Sequence, residues 1–377
     1  MIPPYKVPSM EEIRNLPWNG FTVASTFSGC GGSSTGYRMA GFKVLWASEF
    51  IDAARSAYKA NCAPYTTVDG RDIRQVQASE ILAATGLKEG QLDLFDGSPP
   101  CASFSTAGKR EKGWGKVKKY SDKAQRTDDL FFEYSRLIRG LKPKTFVAEN
   151  VSGLIKGTAK GYFLEILREL KACGYRVSCK VLDAQWLGVP QARQRTIFVG
   201  VREDLNLDPV HPKPLPFRYT VKDALPWISK AVHDTSGQFS VGDVTNRPCC
   251  TVTTHSHLFA FDQPHNTDIS KYAIGPEWDK LKPGEQSQKY FSLVKVDPDK
   301  PCPTVCASHG NIGMAGITHP TEKRKFTIAE LRRICGFPDD FILTGSFQQQ
   351  WERLGRAVPP VMMSHVAAEI RDKILSK

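Results

Sequence analysis

The sequence predicts an α/β fold: a mostly parallel, doubly wound sheet joined to a second, smaller β and loop domain. Three observations carry that prediction. Strand-like and helix-like runs alternate through about residue 202, a glycine turn directly follows the first strand, and beyond residue 202 prolines crowd the chain while helical periodicity fades.

The elements follow in order. FTVASTF (Phe21 to Phe27) is β-branched and aromatic, GCGGSSTGYRMAGF turns into a helix, and KVLWASEF returns as a second strand. IDAARSAYKAN reads as a helix, TTVDG as a short strand, QASEILAATG as a helix and QLDLFDG as a strand. A long loop runs to about Thr127. The helix DLFFEYSRLIRGL, the strand TFVAENV and the helix YFLEILRELKACG come next, then strands near RVSCKVLDA and RTIFVGVR. Ligands of such a sheet sit at the carboxyl ends of its strands. Pro209, Pro212, Pro214 and Pro216 open the small domain, expected over residues 203–325, with the large domain formed by 1–202 and 326–377. NRPCCTVT and DKPCPTVC share a pattern of basic residue, Pro, Cys, any residue, Thr, Val, which suggests paired strands framing one module. FTIAELRRICGF and AVPPVMMSHVAAEIRDKILSK are helical again, the second amphipathic enough to pack back on the large domain.

Composition narrows the class. The 377 residues carry 51 Lys and Arg against 39 Asp and Glu, a net charge of +12 that favours an acidic partner such as nucleic acid. No apolar run approaches the ~18 residues of a membrane span, and the first residues lack the apolar core of a signal peptide. A cytoplasmic location is expected. Ten cysteines spread over this length read as reduced thiols, which leaves one free to act as a nucleophile.

Gly29, Cys30, Gly31 and Gly32 permit a sharp turn and close approach of a ligand, and Glu49, ending the next strand, suits ribose hydroxyls. A dinucleotide fingerprint would place a third glycine at position 34, where this chain has Ser34. S-adenosylmethionine carries no phosphate, so a glycine turn, an acidic ribose partner and Asp72 near the adenine would suffice for it. A purely structural glycine turn is the other reading.

Cys101 follows a strand end and the rigid pair Pro99–Pro100, which would hold a thiol toward a cleft. A buried, inert cysteine is the commoner case for such a residue alone. AENV places Glu149 at the end of a later strand, and GVPQARQR places Arg193 and Arg195 two apart, so that on one strand both point to the same face. A thiol, a carboxyl able to hold or protonate a ring nitrogen, and two guanidinium groups suit covalent attack on an electron-poor heterocycle. Ordinary ion pairing would account for any one of the three charged groups. Between Gly108 and Thr127, eight basic residues face two acidic ones with Trp114 among them, a loop expected to close over a nucleic-acid backbone or to stay solvated.

FSGCGGSSTGYRMAGF, DGSPPCASFSTAGKR, AENVSGL, GVPQARQRTIFVGVR and RLGRAVPP stand in the order and at roughly the spacing of the motifs of DNA (cytosine-5) methyltransferases. The resemblance spans about Phe21 to Ile370. It implies a Rossmann-like catalytic domain of the class I S-adenosylmethionine-dependent kind, a small target-recognition domain, and methyl transfer to carbon 5 of a cytosine flipped from double-stranded DNA. By that resemblance Cys101 attacks carbon 6, Glu149 holds N3 and the exocyclic amine, and Arg193 and Arg195 support the nucleotide. Phe27, Gly29, Cys30, Gly31, Gly32, Glu49, Phe50, Asp72, Ile73, Pro100, Leu130 and Val358 fall where the family binds its cofactor. Ser105, Lys109, Arg110, Lys112 and Gln191 are the expected DNA contacts. A modification enzyme of a restriction-modification or phage system, acting as a monomer, is the implied setting. RNA as substrate, or a catalytically silent DNA-binding homologue, are the alternatives.

Two positions depart from the family pattern. Arg356 replaces the usual Asn of Gly-Asn-x-Val-Pro, and Ile51 stands where an acidic or amide residue often follows Glu49. No metal is expected: Cys302, Cys306 and His309 with His255, His257 or Cys249–Cys250 offer no CxxC spacing. The recognition sequence is not readable. His255, His257, Gln263, His265, Asn266 and Asn311 are available to face bases, and none is assigned to one.

Overall fold

The computed structural model describes residues 2–100, 118–120, 123–125, 129–155, 160–228 and 267–377. In chain order its elements are α1 (Met10–Arg14), β1 (Thr22–Thr26), α2 (Gly32–Met39), β2 (Lys43–Ser48), α3 (Asp52–Asn61), β3 (Thr67–Asp69), α4 (Ala78–Thr85) and β4 (Leu94–Gly97). A short hairpin of β5 (Lys118–Tyr120) and β6 (Lys123–Gln125) precedes α5 (Leu130–Leu141), β7 (Thr145–Val151), α6 (Lys160–Lys171) and β8 (Tyr175–Asp183). β9 (Gln191–Ala192), β10 (Gln194–Arg202) and α7 (Val221–Ala224) follow. Then come α8 (Gly275–Trp278), β11 (Val294–Lys295), β12 (Cys302–Pro303), β13 (Ile317–Thr318), α9 (Ile328–Ile334), α10 (Phe347–Arg356) and α11 (Pro360–Ile370).

Seven strands form one sheet in the order β3-β2-β1-β4-β7-β10-β8. Neighbours from β3 through β7 run parallel, and β10 alone is reversed, pairing antiparallel with β7 and β8. The expected mostly parallel, doubly wound sheet is therefore present. Every residue of β1 and β4 is buried, as in a sheet covered on both faces. On one face α2 and α11 pack Tyr37, Met362, Met363, Val366 and Ala367 against Val23, Leu94, Val147 and Val199. On the other, Ile81, Phe131, Tyr134, Leu137 and Ile166 of α4, α5 and α6 pack against Ala24, Phe95, Phe146 and Phe198. The helix expected to return to the large domain is α11.

Strand order reverses between β1 and β4, which opens a crevice at their carboxyl ends. A second core lies beside it, joining Val221, Leu225, Val305 and Ile317 to Phe326, Leu331, Phe337 and Trp351. The repeat DKPCPTVC does form a strand, but β12 pairs parallel with β9, so this segment is tied to GVPQ. The first copy, NRPCCTVT, lies outside the described residues. Among the described residues no helix is long and apolar enough to cross a membrane.

Candidate active site

The turn after β1 is built from backbone that few side chains tolerate. Phe27 has φ of 52°, a left-handed conformation costing roughly 1–2 kcal/mol outside glycine, and the residue lines the crevice. Gly31, at φ of 100°, caps α2, and a Cβ there would lie 3.2 Å from the ring of Tyr58. At Gly32 a Cβ would meet the carbonyl oxygen of Val358 at 2.3 Å, so the close fit of α2 against the chain entering α11 depends on its absence. Gly32→Ala is expected to cost about 1–3 kcal/mol, seen as a lower urea midpoint, because the contact is with backbone that cannot rotate away.

Glu49 anchors this turn. Its two carboxylate oxygens accept from the Gly29 N–H at 2.8 Å and the Ile51 N–H at 2.7 Å, while burial holds its pKa above the usual range. Ile51 thus contributes backbone where an acidic side chain was the family habit. Ser34 is taken up too: its hydroxyl accepts from Tyr58 at 3.0 Å, so position 34 packs α2 against α3. Asp72 caps its own turn through the Arg74 N–H and pairs with the Arg74 guanidinium, which also reaches Asp129 at 2.6 Å.

A cavity of about 1000 Å³ occupies the crevice. Phe27, Gly29, Cys30, Gly32, Glu49, Phe50, Asp72, Ile73, Pro100, Leu130 and Val358 all line it. Gly31 does not, because it faces Tyr58. Glu149, Arg193 and Arg195 line the same space. Cys101, Ser105, Lys109, Arg110 and Lys112 lie outside the described residues, as do His255, His257, Gln263, His265 and Asn266; Pro99 and Pro100 bring the chain to the cavity wall.

Glu149 is buried, and its Oε1 lies 2.7 Å from Arg195 Nε. Burial raises its pKa above the ordinary carboxylate value, opposed by the charges of Arg195 and Arg193 and by the Arg195 hydrogen bond. A carboxyl that retains a proton more readily than usual can donate to a ring nitrogen. Arg195, with its side chain 13% exposed, holds it from the neighbouring antiparallel strand, where Arg195 lies opposite Val151 and Ile197 opposite Glu149.

Arg193 and Gln191 differ from expectation. The ladder breaks at Arg193, between β9, which pairs with β12, and β10, which pairs with β7 and β8, so the two arginines do not share one unbroken strand. Arg193 is 1% exposed and donates to the carbonyls of Val305 at 3.3 Å and Gly355 at 2.8 Å. Burial, with the like charge of Arg195, lowers its pKa to about 9, which leaves it a cation at neutral pH. Gln191, expected at a DNA surface, is wholly buried and donates to Cys335 Sγ at 3.1 Å. The break turns its side chain into the second core.

Asn150 and Glu352 line the cavity without having been singled out in the sequence. Asn150 donates to the Pro99 carbonyl at 3.2 Å and so fixes the approach to Cys101; its place next to Glu149 in AENV was the available signal. Glu352 and Arg356 sit one turn apart on α10, paired at 2.8 Å on the cavity wall. The Arg that replaces the family Asn therefore does face the cavity. Cys306 lines it as well, while Cys302 is buried in the second core. Among the described residues no cluster of His, Cys, Asp and Glu could hold a metal ion.

Comparison with known proteins places the chain. The family profile of the C-5 cytosine-specific DNA methylases matches residues 21–372. Type II methyltransferase M.NgoFVII of Neisseria gonorrhoeae is 30% identical over 355 residues, 92% of this chain and 86% of that protein. M.MthTI of Methanothermobacter thermautotrophicus is 30% identical over 353 residues, covering 93% and 96%. The fold is similar to that of an E. coli prophage protein described as a DNA modification methyltransferase, with a TM-score of 0.71, 23% identity and coverage of 95% and 100%. It also resembles Spodoptera frugiperda DNMT2, with a TM-score of 0.61, 17% identity and coverage of 92% and 98%. With the profile running from the strand before the glycine turn to the helix that closes the sheet, the chain belongs to the C-5 cytosine-specific DNA methylases.

Proposed function

We propose that this DNA (cytosine-5) methyltransferase acts on a cytosine flipped out of double-stranded DNA, through a transient bond from Cys101 to carbon 6, with S-adenosylmethionine as methyl donor. One observation carries the reading: a single continuous cavity is lined both by the glycine turn with Glu49 and by Glu149 with Arg195.

The residues present fit an adenosyl group without phosphates. The turn at Gly29–Gly32 leaves no room for a Cβ at position 32, Glu49 keeps lone pairs beyond those used by Gly29 and Ile51, and Ser34 is engaged by Tyr58. Phe27, Glu49, Phe50, Asp72, Ile73, Pro100, Leu130 and Val358 would hold it, and bound there it supplies an electrophilic methyl group. The protein's own groups do the rest. The Cys101 thiolate adds to carbon 6, Glu149 delivers a proton to N3, and the resulting enamine makes carbon 5 nucleophilic. Arg195 keeps the Glu149 carboxyl aimed. Flipping costs a few kcal/mol, drawn from DNA contacts that include Ser105, Lys109, Arg110, Lys112 and the basic loop around them.

The type II names of the relatives support a modification enzyme of a restriction-modification or phage-borne system, and one subunit suffices for one flipped base. The test is bisulfite sequencing of plasmid DNA incubated with purified protein and S-adenosylmethionine. Wild type is expected to protect cytosines in one sequence context and Cys101→Ala to protect none. Methylation by the alanine variant would remove Cys101 from the chemistry, and protection of RNA alone would move the substrate.

A further inference from the structure

A carboxyl beside this cavity has no part in the chemistry above. Asp96, in β4, is 1% exposed at the centre of the sheet, and no cation pairs with it among the described residues. Its Oδ2 accepts from Ser25 Oγ at 2.7 Å and its Oδ1 from the Tyr37 hydroxyl at 2.9 Å. Ser25 Oγ in turn accepts from Ser28 Oγ at 3.0 Å; Ser28 Oγ also lies 3.1 Å from the Ser25 carbonyl. Ser28 lines the cavity. Three hydrogen-bonded groups therefore lead from the cavity wall into the core, each hydroxyl donating to the next group inward.

The register ties this chain to the reacting centre. Asp96 lies opposite Ser25 on one side and Val147 on the other, and Glu149, two residues beyond Val147, faces the same side of the sheet. Burial, with a smaller contribution from the Glu149 charge, raises the Asp96 pKa to about 7, so the group can gain and lose a proton near neutrality. A buried carboxyl without a cation costs stability even when, as here, it accepts two hydrogen bonds.

The net reaction supplies a task for this carboxyl. Carbon 5 of cytosine begins with a hydrogen and ends with a methyl group, so one proton must leave the substrate inside the cavity. We propose that Ser28, Ser25 and Asp96 form a hydroxyl relay that receives the proton released from carbon 5 and delivers it to the Asp96 carboxylate. The carbon 5–hydrogen bond breaks and its electron pair restores the double bond between carbons 5 and 6. The bond from carbon 6 to Cys101 breaks in the same step, its pair leaves with the sulfur as thiolate, and N3 gives its proton back to the Glu149 carboxylate. The proton passes to Ser28 Oγ as the Ser28 hydrogen moves to Ser25 Oγ and the Ser25 hydrogen to Asp96 Oδ2. Asp96, now neutral, returns the proton by the same path once product has left. Ser25 and Asp96 act through Ser28 and are positioning residues. The relay rests on the methyl-transfer reading above, the leaving thiolate on its covalent route.

The experiment compares tritium release with methyl incorporation on plasmid DNA tritiated at cytosine carbon 5. Asp96→Asn and Ser25→Ala are expected to incorporate methyl groups while releasing tritium on the order of 10²-fold more slowly than wild type, with a denaturation-resistant protein–DNA adduct accumulating. Ser25→Thr keeps the hydroxyl and is expected to release tritium in step with methylation. The Ser25 pair decides the matter should the asparagine variant fail to fold. Release that keeps pace with methylation in Ser25→Ala, or a Ser25→Thr variant as slow as the alanine one, would overturn the relay and leave the methyl-transfer reading standing. Absence of tritium release from wild type would instead overturn the reading itself.

Discussion

Glu149→Gln is expected to lower single-turnover methyl transfer by about 10²–10⁴-fold while leaving the unfolding midpoint and DNA affinity close to wild type. Glutamine matches the carboxyl in shape, and its carbonyl oxygen can still accept from Arg195, so the ion pair becomes a weaker hydrogen bond without a cavity. What it lacks is a proton to give. Burial already raises the pKa of Glu149, which keeps part of the population protonated as pH rises. The wild-type rate should therefore fall on the alkaline side as that proton is lost, and the variant's residual rate should not follow that limb. A pH–rate profile measured for both, under conditions where chemistry limits, checks the assignment. A variant with the wild-type profile would show that Glu149 does not deliver the proton.

The second large effect concerns stability. Arg193→Met removes two charge-assisted hydrogen bonds and leaves the Val305 and Gly355 carbonyls buried without that donor, an expected loss of about 3 kcal/mol or more in urea unfolding. Arg195→Met should behave in the opposite manner. It leaves the fold nearly intact, removes the cation that favours ionised Glu149, and so raises the carboxyl's pKa further. The two arginines, alike in the motif, separate in the denaturant assay, where Arg193→Met is expected to lower the midpoint; both charges act on Glu149, and the larger shift in the pH profile is expected from Arg195→Met.

How far the site could be read from the sequence depends on how local each cause is. The strands from Thr22–Thr26 to Gln194–Arg202 follow from short β-branched and aromatic runs, and the glycine turn from residues that no other type replaces at φ of 100°. Glu149 was legible because it sits two residues before the end of such a run. Arg193 and Gln191 were not. Period-two alternation assigns them faces only if the strand is continuous, and the break is imposed by β12, about 110 residues later in the chain. Asp96 was equally hidden: QLDLFDG reads as a strand, but the partners that single Asp96 out, Ser25 and Tyr37, come from a neighbouring strand and the helix above. Asn150 and the Glu352–Arg356 pair became meaningful only once the cavity brought separated segments to one wall.

The contact between Gly32 and the Val358 carbonyl, with α11 laid over α2, has a consequence for how the enzyme comes into being. The strands that carry the motifs are synthesised first, yet one face of their sheet is covered by α2 alone until Pro360–Ile370 has left the ribosome. At about 5–20 residues per second the wait from β1 to that helix is on the order of half a minute. During it the nascent chain exposes Val23, Leu94 and Val147 to any holdase chaperone. Methylating capacity therefore switches on only after translation has passed α11, and a transcript cut short before it yields a chain with every motif up to Arg195 and no working cavity.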